Sequence, residues 1–80
     1  MLQAFVRIVN INKELPIAVF CLERRCTVKE IRDKIEDRFS FLTGHRYRVS
    51  RGYNIYKELA DEYVLFDQCE EECVNVSILP

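Results

Sequence analysis

The four cysteines have the widest chemical possibilities in this sequence, because thiolates bind zinc, form disulfides and act as nucleophiles. They fall into two pairs, Cys21 with Cys26 and Cys69 with Cys73. Structural zinc sites usually hold their cysteines on tighter turns. Disulfides belong mainly to secreted proteins, and no secretory signal is recognisable here. We therefore predict reduced cysteines in or near the core and no cofactor, with zinc or a disulfide within either pair as the lesser alternatives.

A catalytic site would need a nucleophile or a general base with a partner beside it. His45 is the single histidine, and it lies in a polar loop between Gly44 and Arg46. No cysteine or carboxylate is placed next to it by spacing, and the sequence has no glycine-rich phosphate loop. We predict that the protein is not an enzyme and that it binds no metal.

Length and charge limit the kinds of partner. The chain has 80 residues, enough for one domain, and a formal net charge of −1. Nucleic acid is not expected, because phosphate neutralisation needs an excess of clustered Lys and Arg. A membrane is not expected either, because no apolar run approaches the roughly 18 residues that cross a bilayer. We predict one cytoplasmic or nuclear domain, residues 1–80, in a larger protein that binds protein partners, with the oligomeric state left open.

Apolar periodicity predicts five strands and one helix. Alternation of apolar and polar residues indicates strands over residues 2–9, 47–50 and 74–79. Residues 15–22 are predicted as a strand because they are rich in Ile, Val and Phe, and residues 53–56 as a further short strand. Thr27, followed three residues later by Glu30, forms a capping-box pattern that begins a helix. Helically spaced apolar residues extend this helix to residue 39: Val28, Ile31, Ile35 and Phe39. This order predicts an α+β fold in which the helix packs across a mixed sheet and the first and last strands pair in parallel.

Several smaller features complete the predicted core and its loops. Residues 64–66 are apolar enough to anchor a short helical turn in the core, and residues 70–72, three glutamates, indicate a solvated turn. Five aromatic residues are predicted to be core residues: Phe20, Phe39, Phe41, Tyr47 and Phe66.

The elements resemble those of ubiquitin and its relatives. The start, residues 1–7, is a Met followed by alternating apolar residues and a basic residue, as in that family. Residues 27–37 resemble the ubiquitin helix, with a Thr cap and a Lys-Ile-acid-Asp ending. Residues 46–49, followed by Gly52, resemble the third strand, and residues 73–79 resemble the last. The resemblance implies a ubiquitin-like β-grasp, with a mixed four- to five-stranded sheet and one main helix packed across it.

The end of the chain departs from the conjugated members of this family. It reads Ile78-Leu79-Pro80, whereas an activating enzyme requires a terminal Gly-Gly. The resemblance therefore implies a non-conjugating domain that acts as a protein-interaction module. We expect it to belong to a ligase or an adaptor of the ubiquitin and proteasome pathway.

The aliphatic patch through which ubiquitin-like domains bind partners is altered in this sequence. By alignment, its third-strand member becomes Arg48 and its last-strand member becomes Ser77. An unpaired guanidinium is costly to bury in an aliphatic pocket, so we predict weak or absent binding to generic ubiquitin receptors. The replacement is a basic and polar surface made of Arg46, Arg48, Asn75 and Ser77.

The second strand offers an apolar patch in addition. If Phe20 faces the helix, then Ile17, Val19 and Cys21 face outward, beside Phe5 of the first strand. The family places this strand at the edge of the sheet, where an apolar outer face is a liability unless something covers it. We therefore predict that Phe5, Ile17 and Val19 form a docking patch.

An alternative interpretation is a Ras-association or FERM-type β-grasp module that binds a small GTPase. Such modules favour a basic second strand that pairs with the edge of the GTPase. Here the nearest basic pair, Arg24-Arg25, follows the apolar strand, which argues against this alternative.

Overall fold

The structure is a computed structural model that describes residues 2–11, 17–52 and 54–80. Its elements in chain order are β1 (Leu2–Ile8), β2 (Ala18–Leu22), α1 (Val28–Arg38), a 3₁₀ helix (Ser40–Gly44), β3 (Tyr47–Arg51) and β4 (Glu71–Ile78). Part of the predicted second strand, residues 15–16, lies outside the described residues, as does Tyr53 of the predicted short strand. In the described part of that short strand, Asn54 forms only an isolated bridge with Arg51.

The strands of the described chain form one mixed sheet in the order β2-β1-β4-β3. β1 pairs antiparallel with β2 and parallel with β4, and β3 pairs antiparallel with β4. The predicted parallel pairing of the first and last strands is confirmed, and so is the α+β class with one main helix. The order leaves β2 and β3 at the edges of the sheet.

The helix begins as its capping box predicts. The Thr27 side chain accepts a hydrogen bond from the Glu30 backbone N–H, and the Glu30 carboxylate accepts one from the Thr27 backbone N–H. The first two helical amides find partners elsewhere. Val28 N–H donates to the Tyr63 carbonyl at 2.9 Å, and Lys29 N–H donates to the Asp61 carbonyl at 3.0 Å. In an isolated helix these two amides would bond to water. Here they attach the connection between β3 and β4 to the start of α1.

The core lies between α1 and one face of the sheet. Strand alternation directs every second side chain of β1 and β4 toward the helix. The fully buried apolar members of these three elements are Ala4, Val6, Ile8, Val28, Ile31, Ile35, Val74 and Val76. Burial of the three helix aliphatics confirms the predicted helix face.

The connection between β3 and β4 supplies the rest of the core. It leaves β3 through Gly52, whose φ of 65° favours glycine. Leu65 and Phe66 are buried, as predicted. The predicted helical turn at residues 64–66 is wrong, because Phe66 takes a left-handed φ of 57° and the backbone bends there.

Strand alternation also overturns two predictions made from composition. The predicted solvated turn at residues 70–72 is wrong, since Glu71 and Glu72 begin β4 and Glu72 points to the core side with 6% exposure. The cysteines form no disulfide among the described residues, but two of them, Cys21 and Cys73, are exposed because both point away from the helix. Outside the strands, the prediction that Phe41 is a core residue is also wrong, because its side chain is 49% exposed on the 3₁₀ helix.

Candidate interaction surface

The sheet face opposite α1, called here the open face, carries the predicted docking residues. In the sheet register, Phe5 is paired with Val19 of β2 on one side and with Cys73 of β4 on the other. Val19 is 48% exposed, Cys73 is exposed, and Phe5 is half-buried. The structure therefore brings Phe5 and Val19 together in one apolar row across three strands.

Ile17 does not belong to this row. It precedes β2 and packs against the core, so the predicted outward orientation is wrong. Its N–H donates to the Val6 carbonyl at 2.8 Å, although the residue paired with Val6 in the sheet is Ala18. Ile17 and Ala18 therefore both lie opposite Val6, and this irregularity breaks the alternation on which the prediction relied.

The central part of the open face is a buried polar cluster. The Arg7 guanidinium donates to the Asn75 side-chain oxygen and, at 3.1 Å, to the Gly52 carbonyl. The Asn75 amide nitrogen donates to the same carbonyl at 2.8 Å. Asn75 is fully buried, so its predicted place in an accessible polar surface is wrong. The half-buried Arg7 is one of the side chains that cover it.

At the far end of the open face, the structure separates the predicted basic residues from the predicted serine. Arg48 and Ser77 are paired across β3 and β4, but Ser77 is only 8% exposed. Its hydroxyl is buried without a hydrogen-bond partner among the described residues. Ser77 therefore cannot contribute the accessible polar group predicted for it. Arg46 is exposed and Arg48 is half-buried, and no ion pair in the described part of the chain involves either of them.

A second polar cluster, which the sequence prediction missed, joins β3, β4 and their connection. Arg51 Nε donates to a Glu72 carboxylate oxygen at 2.8 Å, and Arg51 Nη1 donates to the Tyr63 hydroxyl at 2.6 Å. The Cys69 thiol donates to the second Glu72 oxygen at 3.2 Å. These four residues border a surface cavity of about 400 Å³. Extending the alternation of β4 back from Val74 would have placed Glu72 on the buried side.

The chemistry of this second cluster does not favour a cysteine nucleophile. The hydrogen bond to Glu72 raises the pKa of the Cys69 thiol, and burial and the negative charge of Glu72 raise it further. Nucleophilic cysteines need the opposite shift, because the thiolate is the reactive form. The arrangement instead holds the connection to the sheet through the buried Glu72 carboxylate.

Within residues 2–11, 17–52 and 54–80, no three side chains of His, Cys, Asp or Glu come together as metal ligands. No helix in the same ranges is long and apolar enough to cross a membrane.

Comparison of the chain with protein-family models, with curated proteins and with solved structures gives no match.

Proposed function

We propose that this protein is a non-catalytic, ubiquitin-like β-grasp domain that binds other proteins through the open face of its sheet. The element order, the parallel terminal strands and the helix across one face are compatible with a β-grasp. The resemblance of the helix and terminal strands to ubiquitin supports a place in the ubiquitin and proteasome pathway, within a ligase or an adaptor.

One observation carries the proposal: the open face has an apolar row at one end and basic side chains at the other, with the buried polar cluster between them. Phe5 and Val19 leave apolar surface accessible, and Arg46 and Arg48 have no carboxylate partner among the described residues. An interface of this composition takes an apolar side chain at its centre and a carboxylate at its rim. The partner is therefore a protein that presents an aliphatic side chain to the apolar row and an acidic one to the basic end.

The same face predicts poor binding of generic ubiquitin receptors. Because Ser77 is buried, Arg48 is the residue that replaces accessible aliphatic surface at this position. Desolvating its guanidinium without a carboxylate partner opposes binding in an aliphatic pocket.

A titration of the isotope-labelled chain tests the proposal. A proteasomal ubiquitin receptor and a ubiquitin-conjugating enzyme are added in turn, and the amide chemical shifts are followed. We expect the conjugating enzyme to move the signals of Phe5, Val19 and Arg48, and Arg48→Glu to weaken that binding at least tenfold. Arg38→Glu, at an exposed position on the helix, is the matched control and should have little effect.

The titration with the proteasomal ubiquitin receptor also tests Arg48, but there the side chain is expected to oppose binding. The receptor should bind weakly, and Arg48→Leu should strengthen its binding. Shifts confined to the helix side, or equal effects of the two charge reversals, would contradict the proposal.

The GTPase-binding alternative gains no support from β2. Its five residues carry no Lys or Arg, although a basic strand is what such a module would present to the edge of a GTPase. Capture of the chain by a nucleotide-loaded small GTPase, lost in the Arg24→Glu, Arg25→Glu double variant, would reverse this preference.

A further inference from the structure

Two serine hydroxyls on the open face are buried without a hydrogen-bond partner among the described residues. They belong to Ser50, which is fully buried, and to Ser77, which is 8% exposed. Polar groups buried in folded proteins are almost always hydrogen-bonded, and one that is left without a partner lowers stability. Two such hydroxyls on one sheet face therefore indicate that a polar ligand completes their hydrogen bonds.

The register of β3 and β4 places both hydroxyls beside Arg48. Arg48 is paired with Ser77, and Ser50 lies two residues farther along β3, so the three side chains share the open face. The Leu79 N–H donates to the Arg46 carbonyl at 2.9 Å, which extends the strand pairing and puts the Arg46 side chain on the same face. Diagonal neighbours on such a face are about 7–8 Å apart, so one tetrahedral anion can contact all the donors.

Arg48 is the side chain that can uncover these hydroxyls. Arg48 and Asn75 are each adjacent to both serines on the open face. Asn75 is held by its hydrogen bonds with Arg7 and with the Gly52 carbonyl. Arg48 is half-buried and takes part in no ion pair in the described part of the chain. An anion that draws its guanidinium outward therefore opens a path to both hydroxyls.

This set of donors fits a phosphate better than a carboxylate. A bidentate guanidinium engages both oxygens of a carboxylate, whereas a phosphate keeps a third oxygen for the hydroxyls and carries a charge of about −1.5 to −2. We propose that the acidic group bound at the basic end of the open face is a phosphorylated side chain of the partner. Arg48 and the hydroxyls of Ser50 and Ser77 bind the phosphate, and Arg46 lies at its rim. This recognition rests on the function proposed above and names the chemistry of the partner at the same face.

The rest of the open face favours a protein as the source of the phosphate. At this end, Arg46 and Arg48 are the guanidiniums without a carboxylate partner in the described ranges, whereas lipid headgroups are bound by clusters of about 4–8 basic residues. Phe5 of the apolar row lies two strands away from Arg48 and four residues along the sheet. Strand spacing puts the two roughly 16 Å apart, a distance that an extended segment of about five residues spans.

A phosphopeptide of this length, titrated into the isotope-labelled chain, tests the inference. Its sequence is acetyl-Leu-Ala-Thr-Gln-Thr-phosphoserine-Ala-amide, and a second peptide carries the reverse order for the opposite chain direction. We expect the better of the two to move the amide signals of Phe5, Arg48, Ser50 and Ser77. Replacement of its phosphoserine by glutamate should weaken binding at least tenfold, because glutamate lacks the third oxygen. Inorganic phosphate should move the signals of the three polar residues at least tenfold more weakly, because it lacks the apolar contact.

Variants of the chain separate the binding of phosphate from the integrity of the fold. Arg48→Gln should weaken phosphopeptide binding at least tenfold, whereas Arg38→Gln, at an exposed position on α1, should not. The double variant Ser50→Ala, Ser77→Ala should weaken it by about tenfold, and Ser40→Ala, also exposed, is its control. Because the two hydroxyls bond to no described residue, the double variant should resist urea as well as the unchanged chain does or better.

Four results would overturn the inference. They are no binding of either phosphopeptide at millimolar concentration, equal binding of the phosphoserine and glutamate peptides, and unchanged phosphopeptide binding by the double serine variant. The fourth is binding of inorganic phosphate, or of phosphatidylcholine vesicles that contain phosphatidylinositol phosphate, as tightly as the phosphopeptide. If the conjugating enzyme then still binds through Arg48, the proposed function stands without a phosphate. Absence of shifts at Phe5 and Arg48 with every ligand would contradict both.

Discussion

At the scale of single residues, burial controls the chemistry of Tyr47. Its side chain is buried under the Arg32 guanidinium, which lies 5.0 Å from the ring centroid. Its hydroxyl has no hydrogen-bond partner among the described residues. Burial, with a further contribution from the negative charge of Glu36, raises the pKa of Tyr47 from 10.0 to about 12. The folded state therefore holds this proton more tightly than the unfolded state.

This shift predicts a loss of stability at alkaline pH. Because the pKa of Tyr47 is raised in the folded state, the stabilisation that it gives the fold is fully present below pH 10. This stabilisation is lost as the pH rises from 10 toward 12. Tyr47→Phe should flatten the dependence of the unfolding free energy on pH in that window. At pH 7 it should change stability by less than about 1 kcal/mol, because it removes an unpaired hydroxyl. Urea unfolding at pH 7, 9 and 11 measures both effects, and an unchanged pH slope would contradict the assignment.

The candidate residues on the open face were only partly predictable. Phe5, Val19 and Arg48 follow from alternation, because each lies within a regular strand. Ile17 does not, since the local two-against-one pairing beside Val6 is invisible in the sequence. The burial of Ser77 could not be predicted either, because it depends on which side chains cover this face.

At the scale of elements, α1 was the best predicted part of the molecule. Its capping residues are adjacent in sequence and its apolar positions follow one period, so local chemistry determines both its start and its buried face. The carbonyls of Asp61 and Tyr63 that accept from its first amides lie more than thirty residues farther along the chain. No local pattern indicates them, and this is why the connection between β3 and β4 was poorly predicted.

The cap predicts a specific effect of mutation. Thr27→Ala removes the acceptor for Glu30 N–H but leaves the bonds from Val28 and Lys29 in place. We expect it to lower the unfolding free energy by about 1 kcal/mol, whereas Thr27→Ser, which keeps the hydroxyl, should cost much less. Urea unfolding of the two variants gives the comparison. Equal losses would mean that the methyl group of Thr27 matters rather than its hydroxyl.

At the scale of the whole molecule, the connection between β3 and β4 closes the core over a long sequence separation. Phe66 is the largest of its fully buried side chains, and the residue adopts a left-handed backbone conformation that is unfavourable outside glycine. Its packing must therefore outweigh the backbone cost. Period and composition predicted that Phe66 is a core residue, but not the conformation by which it reaches the core.

Two phenylalanines of opposite exposure test this role. Phe66→Ala should destabilise the fold by about 3–5 kcal/mol, because it leaves a cavity in the closed core. Phe41→Ala, at a half-exposed position that rests edge-on against Phe39, should cost less than about 1.5 kcal/mol. Thermal or urea unfolding distinguishes the two, and hydrogen exchange should show early opening of residues 54–70 in the first variant. Similar losses for both would contradict a closing role for Phe66.

The parallel pair at the centre of the sheet gives the domain a direction of mechanical strength. β1 and β4 are in register from Gln3 with Glu71 to Ile8 with Val76, and they are the first and last strands of the described residues. A tension applied to the two ends acts along these strands and shears one against the other. Their cross-strand hydrogen bonds then carry the load together and do not open one after another. Pulling on the two ends of this chain should therefore give little extension until the whole pair yields at once.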